Sequence, residues 1–325
     1  MITSRSATAP VSPMSTEPDS EPEPEIEQSD TEHTAPSDDE SEHGESTTDN
    51  HPESKTDTPN GDSAEKASPV DDVPDEPPTS FRAAIRASRL KTVLSPLRAL
   101  VDEARVRITE DGLTVRAVDS ANVAMDDLEL GAAAFESFEA SPGTLGLDLD
   151  RLADPVGLAS KNDLIQLYLD PESGKLIVLA DGLRYSLACL DATTIRAEPT
   201  LPEFDLPATV NVNREALQRG VKAADLVADH IRIRMEDGGE ALVVKAEGDT
   251  DTVTLELDGD DIDIVTAGDA SALFSLDYLK KLVRTIPKGT TVTIDLGESF
   301  PLILSYALAE GEGTITRMLA PRIET

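Results

Sequence analysis

Apolar positions between residues 81 and 325 follow two periods, one helical and one typical of strands. One stripe with helical spacing consists of Leu90, Val93, Leu94, Leu97 and Val101. A second consists of Leu276, Leu279, Leu282 and Val283. Each stripe predicts an amphipathic helix with its apolar side buried. Pro96 falls within the first helix, so we expect a bend there or a shifted start.

The remaining segments are short, rich in β-branched residues and separated by Gly or Asp turns, as strands are. They are VRITEDGLTVRAV, DLIQLYLD, KLIVLADGLRYSLACL, TVTIDLG and PLILSYALA. Another helix is predicted in GLDLDRLADPVGL, and we expect it to end at Pro155. The predicted fold class is therefore α+β, with helices packed on antiparallel sheets.

The globular part of the chain resembles itself at an offset of about 127 residues. RVRITEDG matches IRIRMEDG, and KLIVL matches PLILS. Three further matches keep the same order between them: LTVRA with LVVKA, DLEL with TLEL, and LDLDRL with FSLDYL. Collinear matches of this kind indicate a repeated structural unit. We expect two domains of one fold, 81–190 and 208–325, joined by a proline-containing connector, 191–207.

Residues 1–80 differ sharply in composition from the rest. They hold 22 Asp and Glu against three Lys and Arg, with 12 prolines and no aromatic residue. Such a segment cannot bury enough apolar surface to offset its ordering entropy, so we predict a disordered acidic tail. The tail is either a solubilising appendage or a tether or decoy for basic partners. Translation starts at Met1 or at Met14, because the next methionine is Met125.

Residues 81–325 are acidic too, with 42 acidic against 25 basic side chains. Asp-rich surfaces keep a protein in solution in concentrated salt, which indicates a halophilic cytoplasm. The charge balance excludes nucleic-acid binding through a generally basic surface. Cys189 is the single cysteine, and the N-terminus lacks a signal-peptide pattern. The longest apolar stretch near the end, SFPLILSYALA, is too short to span a membrane, so we expect a cytoplasmic protein.

Three segments carry a resemblance to a known family: RAVDSANVAMDDLEL, FSLDYLKKLVRTIP and the terminal LAPRIE. Together they resemble the archaeal and eukaryotic DNA sliding clamp, PCNA, over residues 81–325. The resemblance implies two domains of one fold per chain and a head-to-tail homotrimeric ring around duplex DNA. It implies a nucleoid-associated processivity factor, not an enzyme, that needs no cofactor.

In proteins of this family, a Leu-Ala-Pro segment near the C-terminus lies against the connector and forms one wall of a partner-docking pocket. The resemblance therefore implies these pocket residues: Val118, Ile195, Pro199, Leu201, Pro202, Pro301, Met318, Leu319, Ala320 and Pro321. Partners of the family insert a 3₁₀ turn with one aliphatic and two aromatic anchors, the PIP-type motif. The alternative is that Leu319 and Pro321 only complete an edge of the core.

The resemblance also implies that the helices line the central hole of the ring. Their cations would contact phosphates without reading bases, and they are Lys91, Arg98, Arg151, Arg219, Lys222, Lys280, Lys281 and Arg284. The alternative for each is an ordinary solvated helix face. Around Arg151 the chain departs from the family pattern, because Asp148, Asp150 and Asp154 surround it. A closed ring is held topologically, so weak phosphate contacts suffice in concentrated salt.

Ring closure requires two strand edges to pair between chains. In the family, a strand near the end of the first domain pairs with a strand of the next chain's second domain. Here this indicates GLRYSLAC and DTVTLELD, with the interface residues Tyr185, Leu187, Val253 and Leu255. The implied partners are double-stranded DNA, DNA polymerase, a clamp loader, flap endonuclease and DNA ligase. The sequence leaves open whether the ring contains only copies of this chain.

Two other classes of function compete with a clamp. An enzyme would use the abundant carboxylates, and DGDDID (258–263) could bind a cation, but this segment lacks the spacing and terminal Glu of an EF-hand loop. The chain contains no HExxH, nucleophile elbow or phosphate loop, and its globular part has one histidine, His230. We therefore predict no catalytic and no metal-binding residues. A protein-interaction scaffold without DNA would have the same fold, with the basic helices facing solvent.

Overall fold

The computed structural model describes three stretches of the chain: residues 73–198, 204–236 and 238–323. They belong to one compact unit, Ala64–Thr325. Residues 1–72 of the predicted tail lie outside the described residues, as do the predicted pocket residues Pro199, Leu201 and Pro202. In the described stretches, every helix is too short or too polar to cross a membrane.

Strands and helices follow the same order in both halves of the described chain. The first half consists of β1 (Phe81–Arg86), α1 (Ala87–Leu100), β2 (Glu103–Thr109), β3 (Gly112–Val118), β4 (Ala124–Gly131), β5 (Ser137–Ala140), β6 (Gly143–Asp148), α2 (Leu149–Leu158), β7 (Leu164–Leu169), β8 (Lys175–Ala180) and β9 (Leu183–Ala188). The second half consists of β10 (Ala208–Asn213), α3 (Arg214–Ala224), β11 (His230–Met235), β12 (Leu242–Glu247), β13 (Thr252–Leu257), β14 (Ile262–Thr266), β15 (Ala270–Ser275), α4 (Leu276–Thr285), β16 (Thr291–Leu296), β17 (Leu302–Leu308) and β18 (Gly313–Leu319). The five sequence matches fall on counterpart elements, such as β2 with β11 and β8 with β17.

The strands form three antiparallel sheets. Their strand orders are β5–β1–β7–β8–β9, β13–β12–β11–β15 and β14–β10–β16–β17–β18–β4–β3–β2–β6. The nine-stranded sheet contains strands of both halves, which meet where β18 pairs with β4. We call this pairing the seam; it runs from Gly313 opposite Leu130 to Leu319 opposite Ala124. The predicted α+β class with antiparallel sheets is confirmed.

The four helices lie side by side in the order α2–α1–α4–α3 and pack on the strands beneath them. Both predicted apolar stripes are confirmed, because the buried side chains of α1 include Leu90, Val93, Leu94 and Leu97, and those of α4 are Leu276, Leu279, Leu282 and Val283. Val101 caps the end of α1 and is half-buried. Helices with one buried face leave their other face for charged residues.

Helix α2 continues through Pro155 to Leu158, so the expectation that it ends at Pro155 is wrong. A proline removes one amide donor from a helix and crowds the preceding turn. However, Val156 is 1% exposed, and its packing holds the last turn in place. At the other end Asp148 caps α2, because its carboxylate accepts a hydrogen bond from the Arg151 amide at 2.9 Å. Helix α1 likewise continues through its own proline.

A buried ion pair lies at the seam. Arg317 of β18 and Asp126 of β4 form two hydrogen bonds, of 2.7 Å from Nε and 2.8 Å from Nη2, and both side chains are completely buried. Arg317 also donates to the Leu282 carbonyl (3.0 Å), the Thr285 hydroxyl (2.7 Å) and the Pro96 carbonyl (3.1 Å). Burial raises the pKa of the Asp126 carboxyl, and the guanidinium opposes that rise. One side chain thus ties α1 and α4 to the seam.

The described chain begins eight residues before β1, at Val73. Val73 and Pro78 are buried, and the Thr144 amide of the edge strand β6 donates to the Glu76 carbonyl at 2.8 Å. Residues 73–80 therefore contact the edge of the sheet, within the part of the chain that the composition assigns to the tail.

Candidate docking groove and DNA-facing helix row

The outer face of the nine-stranded sheet, turned away from the helices, carries an apolar row across four strands. Val118 lies opposite Met125, Met125 opposite Met318, and Met318 opposite Ile303. Paired residues of antiparallel strands project to the same face, so the row is continuous. It brings together the predicted pocket residues Val118 and Met318. Met125 lies between them and was missed, because only the seam reveals its position.

The segment after β18 is held by backbone hydrogen bonds. The Ala320 amide donates to the Val123 carbonyl at 2.8 Å, and the Arg322 amide donates to the Leu273 carbonyl at 2.7 Å. Leu319 projects to the inner face and is completely buried, so its side chain belongs to the core. The C-terminal segment thus lies beside the loop between β3 and β4, with Met318 as its outward-facing apolar residue.

Two prolines of the predicted pocket lie at the same end of the sheet. Pro301 directly precedes β17, Pro321 follows β18 by two residues, and both are half-buried. Beside them lies an aromatic pair that sequence reasoning missed. Phe300 is 47% exposed, and its ring centroid is 5.8 Å from that of Phe204 in an edge-to-face arrangement. Phe204 belongs to the connector and is the first residue described after Glu198, so this pair fixes the end of the connector near the prolines.

The loop between β3 and β4 is organised by Asp119. Its carboxylate accepts hydrogen bonds from the amides of Ala121 (3.0 Å), Val123 (2.7 Å) and Ala124 (2.8 Å), and from the Tyr278 hydroxyl (2.7 Å). Burial alone would raise the pKa of Asp119, but these hydrogen bonds hold it below the ordinary value. A depressed carboxyl pKa contributes stability above about pH 4, and this contribution is lost as the carboxyl is protonated.

Tyr278 connects this loop to helix α4. Its hydrogen bond to Asp119, together with burial, raises the pKa of Tyr278 to about 12. The ammonium group of Lys281, one of the predicted DNA-facing cations, lies 5.3 Å from the centroid of the Tyr278 ring. The outer loop and the helix row therefore meet at one side chain.

The first part of the connector lies against the same loop. Ile195 is 6% exposed, and Arg196 donates to the Asp119 carbonyl at 2.8 Å and to the Asn122 side-chain oxygen. A groove of about 410 Å³ separates the connector from β2 and β3. Its lining includes the predicted pocket residues Val118 and Ile195 and the charged residues Arg105 and Arg116. We define the docking groove as this cavity together with the apolar row, Pro301, Pro321 and the Phe204–Phe300 pair.

All eight predicted cations lie on the four helices. Four of them are engaged within the chain: Lys91 with the Ala159 carbonyl, Arg98 with Asp150, Arg219 with Asp261, and Lys280 with Asp225. The sequence does not reveal these pairings, because each joins residues far apart in the chain. Three of these four contacts are ion pairs at the surface, and such pairs contribute only about 0–1 kcal/mol each.

The other four cations are available to a ligand. Arg151, Lys222 and Arg284 are exposed, and among the described residues no carboxylate pairs with them. Lys281 contacts the Tyr278 ring. Arg284 also lines a cleft of about 560 Å³ between α1, α2 and α4, together with Lys91 and Arg98. This cleft brings cations of both halves to one surface of the helix row.

The predicted interface strands both lie at sheet edges. Among the described strands, β9 pairs only with β8, and β13 pairs only with β12. Tyr185, Val253 and Leu255 are half-buried, and Leu183 is 36% exposed. Leu187 is completely buried, so it belongs to the core of the single chain. Both strand edges thus carry apolar side chains that are partly exposed to solvent.

The described residues hold no arrangement suited to catalysis at a metal. Among them, no three His, Cys, Asp or Glu side chains converge as a metal site. Burial raises the pKa of the Cys189 thiol, which disfavours the reactive thiolate. His230 is the first residue of β11 and is half-buried.

Comparison with known proteins gives one consistent result. The family described as proliferating cell nuclear antigen, N-terminal domain, matches residues 81–186. Relatives named DNA polymerase sliding clamp, from Natronomonas pharaonis and Haloarcula marismortui, are 49% and 48% identical over 75% of this chain and 99% of their own length. These relatives come mostly from halophilic archaea.

Solved structures agree with the sequence matches. The A. fulgidus PCNA bound to the C-terminal region of FEN-1 is 33% identical, with a TM-score of 0.70 over 75% of this chain and 99% of that chain. PCNA from Thermococcus kodakaraensis is 27% identical, with a TM-score of 0.68 over 74% of this chain and all of that chain. The chain therefore belongs to the DNA polymerase sliding clamp family, that of PCNA, whose members are non-catalytic accessory factors of DNA polymerase.

Proposed function

We propose that three copies of this chain close into a ring around duplex DNA and tether DNA polymerase and other enzymes through the docking groove. The observation that carries this proposal is the seam. The element order repeats, so β9 is the counterpart of β18 and β13 is the counterpart of β4. Pairing of β9 with β13 of the next chain would repeat a join that the chain already makes within itself.

The seam supplies a template for the register of the proposed contact. In this register Tyr185 would lie opposite the partner's Val253, at the position where the seam has Arg317 opposite Asp126. Leu183 would lie opposite the partner's Leu255. The proposed pairing therefore covers the half-exposed apolar side chains on both strand edges. At the position where the seam has the Arg317–Asp126 ion pair, the contact between chains is apolar. An apolar contact is not screened by concentrated salt, unlike a surface ion pair.

Ring closure continues the helix row from chain to chain. Within one chain α1 meets α4 beside the seam. At the equivalent join, α2 of one chain meets α3 of the next. A closed row of helices then lines the hole, where Arg151, Lys222, Lys281 and Arg284 contact phosphates without reading bases. Because only a few cations contact phosphates, the binding to DNA is weak, so the ring stays on DNA by topology.

The docking groove is the site for partner peptides. Its apolar row and aromatic pair suit a peptide with one aliphatic and two aromatic anchors, which act as hot spots in a small apolar pocket. A solved relative is bound to the C-terminal region of FEN-1, a partner of the same kind. The proposed partners are DNA polymerase, flap endonuclease, DNA ligase and a clamp loader. In this proposal Ala320, Pro321 and Pro301 frame the groove, and the connector residues also predicted for it, Pro199, Leu201 and Pro202, lie outside the described residues.

The proposed domain division follows the repeat. Residues 81–190 and 208–325 are each one domain, and residues 191–207 connect them. Identical element orders support the division. The ring is nucleoid-associated, and residues 1–72 remain an acidic tail in this proposal.

Molar mass by light scattering tests the ring. In molar KCl we expect three times the 34.7 kDa of one chain, and we expect the same at lower salt because the contact is apolar. Leu255→Asp should give monomers, since it places a charge in the edge contact. Thr254→Asp, on the exposed opposite face of the same strand, is the matched control and should leave the trimer intact. A wild-type monomer at every concentration would contradict the proposal.

A further inference from the structure

Residues Val73–Pro78 lie against β6, an edge strand of the nine-stranded sheet. We call the surface that they contact, which consists of Gly143, Thr144, Arg105 and Arg107, the seat. Thr144 is 1% exposed and binds the segment twice. Its amide donates to the Glu76 carbonyl at 2.8 Å, and its hydroxyl donates to the Pro74 carbonyl at 2.7 Å. These bonds fix the backbone of a segment that contains three prolines, and the restricted backbone of proline lowers the entropy lost on docking.

The backbone of Gly143 lies in close contact with the same segment. A Cβ atom added there would lie 2.4 Å from the Pro78 nitrogen, 2.6 Å from the Pro78 Cα and 2.8 Å from the Glu76 carbonyl oxygen. All three are backbone positions that cannot move aside without displacing the segment. The close approach therefore requires glycine. Pro78 is buried by it.

Two arginines of β2 connect the segment to the connector. Arg105 pairs with Asp75 at 2.9 Å, and its side chain is 9% exposed. Arg107 donates to the Val73 carbonyl at 3.4 Å and to the Glu198 carboxylate of the connector at 2.7 Å. The Glu198 side chain is only 8% exposed. Arg107 thus holds the N-terminal segment and the connector at the same time.

The N-terminal segment and the connector, which Arg107 joins, differ in their position relative to the family match. The family match begins at residue 81, so the segment precedes it. The connector, by contrast, supplies Ile195 to the docking groove, three residues before Glu198. An addition outside the family match is therefore fastened to the part of the fold that forms the proposed peptide site.

We propose that Val73–Pro78 is a clasp that immobilises the connector through Arg107 and Glu198 and thereby raises the affinity of the docking groove for partner peptides. The part about affinity rests on the proposed function. A peptide that binds a groove whose wall is already fixed loses less entropy on binding, so it dissociates more slowly. The seat suits an acidic segment with prolines, because Arg105 and Arg107 supply its positive charge and Gly143 leaves room for the Pro78 backbone.

Hydrogen exchange of the connector tests the clasp in the full-length protein. Asp75→Asn removes the carboxylate that pairs with Arg105, and Gly143→Val displaces the segment sterically. We expect either change to accelerate amide exchange in residues 191–198 by roughly tenfold. Glu76→Gln is the matched control, because it removes the same charge one residue away from a side chain that is exposed. It should leave the exchange unchanged.

Peptide binding gives the second readout. With a labelled peptide from the FEN-1 C-terminal region, we expect Asp75→Asn and Gly143→Val to weaken binding roughly three- to tenfold through faster dissociation. Faster connector exchange with unchanged or tighter binding would overturn the effect on affinity. Unchanged exchange in both variants would overturn the clasp itself. Absence of peptide binding by the wild-type chain would instead refute the proposed docking groove, while the exchange result would still decide the clasp.

Discussion

Replacing Asp126 by Asn should destabilise the fold far more than replacing any exposed carboxylate. The change leaves the Arg317 guanidinium without a counter-ion while its side chain stays completely buried. Three neutral acceptors remain, the Leu282 and Pro96 carbonyls and the Thr285 hydroxyl, and they cannot replace a charge. Breaking a buried pair from one side costs about 3–5 kcal/mol.

This loss of free energy corresponds to a large fall in the melting temperature. For a folded part of this size, about 2–4 °C per kcal/mol is typical, so Asp126→Asn should lower the melting temperature by roughly 6–20 °C. The control is Asp150→Asn, which breaks the Arg98 pair of 2.5 Å between side chains that are 41% and 63% exposed. It should change stability by about 0.5 kcal/mol or less.

A double substitution separates pairing from packing. Asp126→Leu combined with Arg317→Met removes both charges, so it should recover most of the loss, because an apolar pair of similar volume replaces the ion pair. Urea unfolding at constant KCl and protein concentration gives the free energies. Equal effects of Asp126→Asn and Asp150→Asn would refute the reasoning, as would a double variant that is no more stable than Asp126→Asn.

Three further predictions concern the proposed surfaces. Lys222→Glu with Arg284→Glu should abolish stimulation of polymerase while the molar mass stays that of a trimer; unchanged stimulation would favour a scaffold without DNA. Met318→Asp should weaken binding of a FEN-1 C-terminal peptide, measured by fluorescence anisotropy, by roughly 30-fold or more, because it places a charge in the apolar row. Tyr278→Phe should lower stability by a constant amount between about pH 5 and about pH 10, where Asp119 is ionised and Tyr278 is protonated. The difference should vanish as the pH rises to about 12, because the Tyr278 proton that Asp119 holds is then lost in the native state as well.

Elements with strong local patterns could be predicted from the sequence. The stripes ending in Leu97 and Val283 are buried faces of α1 and α4, and the internal offset maps onto counterpart strands. The end of α2 could not be predicted, because the packing of Val156 outweighs the tendency of Pro155 to stop a helix.

Features that depend on contacts between residues far apart in the chain could not be predicted from the sequence. The Arg317–Asp126 pair joins residues 191 positions apart, and Met125 meets Met318 only through the same seam. The packed residues before β1 were missed because their acidic, proline-rich composition matches the tail. What distinguishes these residues from the tail is their close backbone contact with Gly143, which the structure shows.

Topological linkage to DNA is the most direct test of the proposed ring. In a chain with Cys189→Ala, substitutions Tyr185→Cys and Val253→Cys place two thiols opposite each other in the proposed register, within reach of a disulfide. Oxidation after incubation with circular plasmid should yield cross-linked trimers that stay on the plasmid in molar KCl. A single cut of the plasmid should then release them. Failure to cross-link, or retention that survives the cut, would contradict a ring that encircles DNA.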